Sequence, residues 1–279
     1  MMRFLSSICF SALLLACTES STTVSMPSTA AANVQELPFE FVVDGLDRQR
    51  KVRLYLPTDY QTSEQSYPVI YMLDGQNLFD DATAYAGEWG VDETLNQMAT
   101  TEGLKFIVVG IDNGGDKRMN EYSPWVNKRF GAAQGALFTT FIVDVVKPFI
   151  DNNYRTLDDV EHTAIIGSSM GGLLAHYALH AHPQIFGKAG IFSPSYWYSA
   201  DVFTYSKDHK ASLDAKIYVM YGDKEGDGMI VDTTYMQQQL REQGHPRQNM
   251  LFKRVLGGEH NEALWRSQFA DAVRWLFSS

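Results

Sequence analysis

The chain has 279 residues, 45% of them hydrophobic and 13% aromatic, enough to bury the core of one large domain or two small ones. Lys and Arg number 23 against 33 Asp and Glu, a net charge of −10, which argues against a nucleic-acid partner, whose phosphates require a basic face. The two cysteines, Cys9 and Cys17, both lie at the start of the chain. The remainder therefore has neither a disulfide nor a cysteine-based metal site.

Arg3 is followed by an apolar run from Ile8 to Ala16, broken only by Ser11. A positive start and a greasy stretch too short to span a bilayer read as a secretory signal. Its exit, Leu14-Leu15-Ala16-Cys17, resembles a bacterial lipobox. The resemblance implies removal of residues 1–17, with Cys17 diacylated on its thiol as the new N-terminus. The expected location is then outside the cytoplasm, at the periplasmic face of the outer membrane or the cell surface. Thr18 is not the aspartate that marks inner-membrane retention. The alternative is ordinary cleavage near Ala30–Ala32, which leaves no lipid and no membrane partner. Residues 18–36 are rich in Ser, Thr and Ala and read as a flexible tether. A single domain is expected over 37–279, without internal repeats.

Leu37–Val43 and Lys51–Leu56 read as paired antiparallel strands. Val69–Leu73, Phe106–Ile111, Ala164–Ile166, Ala189–Phe192 and Ile217–Tyr221 are short, almost wholly apolar runs, as strands buried on both faces of a parallel sheet require. Helical patterns fall between them at Val91–Ala99, Ala136–Asn152, Gly171–Ala181 and Thr233–Gln243, with a last one at Ala263–Phe277. The alternation predicts an α/β fold: a mostly parallel central sheet with helices on both faces.

Directly after the run at Thr163–Ile166 stands Gly167-Ser168-Ser169-Met170-Gly171-Gly172, which fits G-x-S-x-G centred on Ser169. A serine on a strained turn between strand and helix needs glycine two positions to either side, where side chains would clash. The following helix aims its N-terminus at the site and favours developing negative charge. The plainer alternative is a glycine-rich turn.

A serine hydroxyl needs a base within hydrogen-bond reach. His176, His180 and His182 ride the helix after the serine and read as packing or surface residues. His162 precedes the strand at its far end, and His209 and His245 sit in polar stretches. His260, in Gly257-Gly258-Glu259-His260-Asn261-Glu262, lies on a loop between the strand near Leu251–Leu256 and the last helix, and is the candidate base. The third member is expected after the strand at Ile217–Tyr221, where Asp223, Glu225 and Asp227 offer three carboxylates. That stretch also mimics the opening of a calcium loop, but its twelfth position is Thr234 rather than glutamate, so no metal is expected. The order Ser, acid, His is that of the α/β-hydrolases.

Two backbone donors should meet the oxyanion of a tetrahedral intermediate. Met170 N–H follows the serine, and Gln76 N–H lies in Met72-Leu73-Asp74-Gly75-Gln76-Asn77; an ordinary Asp-Gly turn is the alternative for the second. Trp89, Tyr122, Trp125, Tyr196 and Trp197 fall in loops near the sheet's C-terminal edge, as either substrate walls or packing. Arg118 is a candidate partner for a carboxylate or catecholate, or a solvated side chain.

Tyr71–Phe79, Trp89, Gly110–Asn113, Arg118, Glu121–Pro124, Gly167–Gly172, Phe192–Trp197 and Glu259–Trp265 together resemble the putative-esterase family. It includes esterase D, feruloyl and acetylxylan esterases, mycolyltransferases and enterobactin-type siderophore esterases. The resemblance implies an α/β-hydrolase fold and a serine carboxylester hydrolase with a Ser-acid-His triad, an acyl-enzyme intermediate and no cofactor. Its acid stands three residues after the strand-ending glycine, at Glu225. Glu225 also has reach past the sheet edge, whereas Asp223 is placed to cap its own turn. Small acyl, siderophore trilactone and feruloyl or acetyl sugar esters are the expected substrates. Acyl transfer on the same residues, or a catalytically silent lipid-anchored binding protein, are the alternatives.

Overall fold

The computed structural model describes residues 26–278; the signal segment and Cys17 lie outside the described residues. In chain order the strands are β1 (Val34–Glu36), β2 (Phe41–Val43), β3 (Arg48–Arg50), β4 (Val52–Tyr55), β5 (Val69–Leu73), β6 (Ile107–Ile111), β7 (Thr163–Ser168), β8 (Lys188–Phe192), β9 (Lys216–Gly222) and β10 (Met250–Val255). The helices are α1 (Val91–Glu102), α2 (Arg118–Glu121), α3 (Gly135–Phe141), α4 (Lys147–Asn153), α5 (Met170–Ala181), α6 (Asp201–Asp208), α7 (Asp227–Glu242) and α8 (Glu262–Leu276). A π-helical turn at Ile142–Val146 joins α3 to α4.

One eight-stranded sheet has the order β1-β4-β6-β5-β7-β8-β9-β10. It is parallel from β6 to β10 and antiparallel where β4 meets β1 and β6. Along β5, Val69, Tyr71 and Leu73 face one core, while Ile70 and Met72 face the other. That two-sided burial explains the unbroken apolar runs. Helices α1 and α8 cover one face through Leu95, Met98, Phe269 and Val273. The other is covered by α3, α5 and α7, through Phe138, Leu174 and Leu240 among others. The α/β-hydrolase architecture is thus present, with every loop at the C-terminal edge of the parallel strands available to a site.

The antiparallel start differs from the sequence-based expectation. Phe41–Val43 pairs with Arg48–Arg50, not with the strand at 52–55. The left-handed turn at Gly45 (φ 79°) and Asp47 (φ 50°) closes that hairpin locally, before the chain reaches β4. The partner of β4 is β1, in register Val34↔Tyr55 to Glu36↔Arg53. It belongs to the stretch expected as tether, and that stretch is held down from Ser28 onward. Ser28 Oγ donates to Asp80 Oδ2 at 2.6 Å, and Ala31 N–H donates to Asp92 Oδ2 at 2.7 Å. Its small side chains and backbone bond to the carboxylates of Asp80, in the loop before α1, and of Asp92, in α1 itself, a use that composition does not reveal. The short helices α2 and α6 carry no long apolar period and were not expected.

At its C-terminal end β9 meets the loop that follows β10 almost backbone to backbone. A Cβ on Gly222 would stand 2.2 Å from the Gly258 carbonyl oxygen. Gly222→Ala should therefore cost about 2–3 kcal/mol, a fall in Tm of roughly 5–10 °C for a domain of this size. Thermal melting followed by circular dichroism checks this; an unchanged Tm would show that the loop can move aside.

Candidate active site

Ser169 sits between β7 and α5 with φ 58° and ψ −118°, a region costly for a residue with a side chain. The turn is held from several sides. Ser169 N–H donates to Phe192 O at 2.9 Å, and Ser195 N–H to Ser169 O at 3.0 Å. A Cβ on Gly167 would lie 2.5 Å from Gly171 O, so only glycine permits the crossing. The serine hydroxyl is thereby pushed out at the strand's C-terminal edge.

His260 comes from the loop between β10 and α8, whose first turn is capped by Asn261 accepting from Leu264 N–H at 3.0 Å. Its Nε2 lies 2.9 Å from Ser169 Oγ, and its Nδ1 lies 2.6 Å from Glu225 Oε2. The ring stands edge-on to Trp265, 5.1 Å between centroids at 87°. Glu225 is the carboxylate among the three that reaches the imidazole; its side chain is 1% exposed. Asp223 instead accepts from Gly257 N–H at 2.7 Å, fastening the histidine loop to β9. Asp227 opens α7.

The second oxygen of Glu225 is held by two donors, Gly222 N–H at 2.5 Å and Ser193 Oγ at 2.7 Å. Trp265 Nε1–H donates to Ser193 Oγ at 2.9 Å. An indole can only donate, so the Ser193 proton is left to point at the carboxylate. Oε1 is occupied in this way, and Oε2 faces His260. Ser193 is wholly buried, with φ 44°. Removing its hydroxyl leaves Oε1 with one donor, Gly222 N–H, and Ser193→Ala should lower kcat by about 10- to 100-fold. Steady-state kinetics with a melting control check it; a rate within twofold of wild type would deny the contact any part in orientation.

Gln76 and Met170 lie in the first turns of their helices, where no intrahelical carbonyl is available to an N–H. Behind Gln76, Asp74 adopts φ 60° and ψ 47°. Arg118 grips it bidentately, at 2.6 and 2.8 Å, and Asn113 Nδ2 donates to it at 2.6 Å. Tyr122 hydroxyl accepts from Asp74 N–H at 3.0 Å. Gln76 Oε1 accepts from Asn113 N–H at 3.1 Å. The loop is thus fixed before any ligand arrives.

These contacts revise the candidate substrate wall. Trp89, Tyr122 and Tyr196 are 3% exposed or less and are packing residues. Trp89 stacks among Phe192, Trp265 and Phe269, and Tyr196 bonds His176 Nδ1 at 3.0 Å. Trp125 is half-buried against Tyr177 and Tyr205. Trp197 is 55% exposed and packs on Phe130, away from the cleft. Arg118 does border the cleft, but its guanidinium is occupied by Asp74 and Ser168 O. A cleft of about 700 Å³ opens beside Ser169 and His260, bounded by Tyr85, Asn113, Glu262 and Trp265 among others. The sequence reading missed these four, together with Ser193 and Ser195, whose Oγ lies 3.2 Å from Ser169 Oγ. Asn113, Glu262, Trp265, Ser193 and Ser195 stand inside the segments that carry the family resemblance; nothing local marked Tyr85.

Fold and site together define an α/β-hydrolase with a serine, a histidine and a glutamate in hydrogen-bonded succession at the strand ends. Residues 44–276 match the model of the family described as Putative esterase. The chain belongs to that family, and is a carboxylic ester hydrolase. It is 27% identical over 241 residues to the uncharacterized protein YbbA of Bacillus subtilis (strain 168), covering 82% of this chain and 92% of that one. To the iron(III) enterobactin esterase of Dickeya dadantii (strain 3937) it is 24% identical over 245 residues. That match covers 84% of this chain but 53% of the relative, so the chain spans about half that protein's length. The crystal structure of the BES protein from Bacillus cereus superposes with a TM-score of 0.74 at 21% identity, covering 92% and 100% of the two chains. At that identity the likeness is one of fold.

Proposed function

We propose that this esterase works through Ser169 as nucleophile, His260 as general base and acid, and Glu225 as the carboxylate that orients the imidazole. The relay Ser169 Oγ–His260 Nε2, His260 Nδ1–Glu225 Oε2, at 2.9 and 2.6 Å, carries this reading. In the first half-reaction His260 takes the Ser169 proton as Oγ attacks the ester carbonyl, then returns it to the leaving alcohol. Water deacylates the enzyme by the same route in reverse. The N–H groups of Gln76 and Met170 are the proposed donors to the oxyanion.

The substrate we propose is a small acyl ester whose reacting end fits a cleft of about 700 Å³. Trilactone and feruloyl or acetyl sugar esters are the larger forms to compare. Mass spectrometry of the enzyme during turnover of p-nitrophenyl acetate, feruloyl esters and a trilactone tests both points. The serviceable ester should leave its acyl mass on Ser169; an acyl adduct elsewhere, or none during measured turnover, would sink the assignment.

Export and anchoring through Cys17 belong to the same proposal and rest on the Leu14–Cys17 exit. Two or three acyl chains are enough for stable membrane attachment. The full chain and its Cys17→Ser variant should separate on fractionation, the first with membranes and the second soluble. Equal recovery of both in the soluble fraction would remove the lipid.

A further inference from the structure

Ionisable groups on the cleft wall, besides His260, are Asp74, Asp116, Arg118 and Glu262. The guanidinium is already matched by Asp74, both nitrogens bonding at 2.8 Å or less. Asp116 is exposed and pairs with Lys117 at 2.7 Å. Glu262 differs from both. It is half-buried in the first turn of α8, two residues from His260; its own backbone N–H supports the carboxylate, and no side chain among the described residues is hydrogen-bonded or ion-paired to it. Burial pushes this carboxyl above its ordinary value, and Asp74 adds to that, while His260 and Arg118 pull it down. The helix N-terminus offsets part of the cost of that burial, and a directly paired cation would offset the rest. The compensation we look for is a ligand group of opposite charge.

The surrounding chemistry agrees. Tyr85, 94% exposed, stands on the rim with its ring open to a ligand; Trp265 borders the cleft beside His260 but is 5% exposed. Aromatic faces attract quaternary and primary ammonium groups. Arg118, the cation on this wall, commits its Nε and one terminal nitrogen to Asp74 and Ser168 O, so an anionic substrate would compete with Asp74 for it and meet Glu262 besides.

We propose that Glu262 is a specificity determinant of the cleft, favouring esters that carry a positive charge next to the scissile bond and rejecting anionic ones. This rests on the Ser169 reading, because it takes the cleft beside Ser169 as the place where the ester sits. Glu262 lines the same cleft as His260, two residues along the chain, and the leaving-alcohol half of the ester, to which His260 returns its proton, is set beside it in the proposed arrangement. An opposite charge about 6 Å away in a half-wet cleft is worth roughly a tenfold preference.

The test uses the full chain carrying Ser169→Ala, so that esters bind without turning over. Three phenyl acetates that differ at the meta position are titrated by saturation-transfer NMR: trimethylammonium, tert-butyl (its neutral isostere) and sulfonate. The cationic ester should bind about tenfold tighter than the neutral one, and the sulfonate weakest. Adding Glu262→Gln should bring the cation-to-neutral ratio to within about twofold of unity. Salt raised from 20 to 500 mM should shrink the same ratio with Glu262 intact, a readout that needs no second substitution. Equal binding of all three esters, tighter binding of the sulfonate, or a ratio that ignores both Glu262→Gln and salt would overturn the proposal. Wild-type turnover of the neutral ester is measured alongside. Its absence would count against the catalytic reading, while the binding ratios still decide the role of Glu262.

Discussion

Ser169→Ala should lower ester turnover by about 10⁴- to 10⁶-fold and leave the melting temperature unchanged within a few degrees. The size follows from the unit the serine belongs to: without Oγ no acyl-enzyme forms, and His260 has nothing to deprotonate but water. What remains is the background supplied by the oxyanion donors and by binding. The fold should tolerate the change because the strained turn is held by main-chain bonds, Ser169 N–H to Phe192 O and Ser195 N–H to Ser169 O, and alanine keeps both. A fluorophosphonate should label the wild type at Ser169 and fail on the variant. Residual activity above a tenth of wild type, or labelling of Ser195 in its place, would move the nucleophile. Ser195 is the informative control, since its hydroxyl lies 3.2 Å from that of Ser169 but has no histidine partner among the described residues.

The next largest effect is expected at the acid. Glu225→Gln should reduce kcat by about 10²- to 10⁴-fold, and Asp223→Asn by less than about tenfold. In the proposed triad the carboxylate at Glu225 fixes which imidazole nitrogen bears the proton and stabilises the imidazolium that forms during attack, and an amide in its place can present an N–H to Nδ1 and select the wrong tautomer. Because the side chain is 1% exposed, water cannot substitute for the lost charge. Asp223 acts on a backbone instead. It accepts from Gly257 N–H at 2.7 Å, and an asparagine oxygen can accept the same bond. Parallel measurement of the two variants decides between them: the reverse ordering would hand the role to Asp223, and near-wild-type rates in both would leave a Ser169–His260 pair working without a carboxylate.

Features carried by neighbouring residues were legible in the sequence. The apolar runs at 69–73 and 107–111 are strands because both their faces are buried, which demands apolar residues at every position, whatever the neighbours are. Gly167 to Gly172 announced the elbow because the clash that requires glycine is between residues only four apart. The loops that carry His260 and the three carboxylates Asp223, Glu225 and Asp227 were readable from their place after a strand, since this architecture delivers loops to one edge of the sheet; the resemblance and side-chain reach, not the place, favoured Glu225. Where residues far apart in the chain meet, the sequence was silent. Trp89 and Tyr196 read from the sequence as either substrate walls or packing; the tertiary structure buries both, one under Trp265 and Phe269 and the other against His176. Arg118 looked like a free cation until the turn at Asp74 was brought within 2.6 Å of it. The small residues 28–31 carry no strand or helix period, and the carboxylates of Asp80, Glu88 and Asp92 give them a place. Local sterics and burial repeat along a chain and so leave a pattern in it; pairings between single distant side chains do not repeat, and the packing of the sheet and its loops alone selects them.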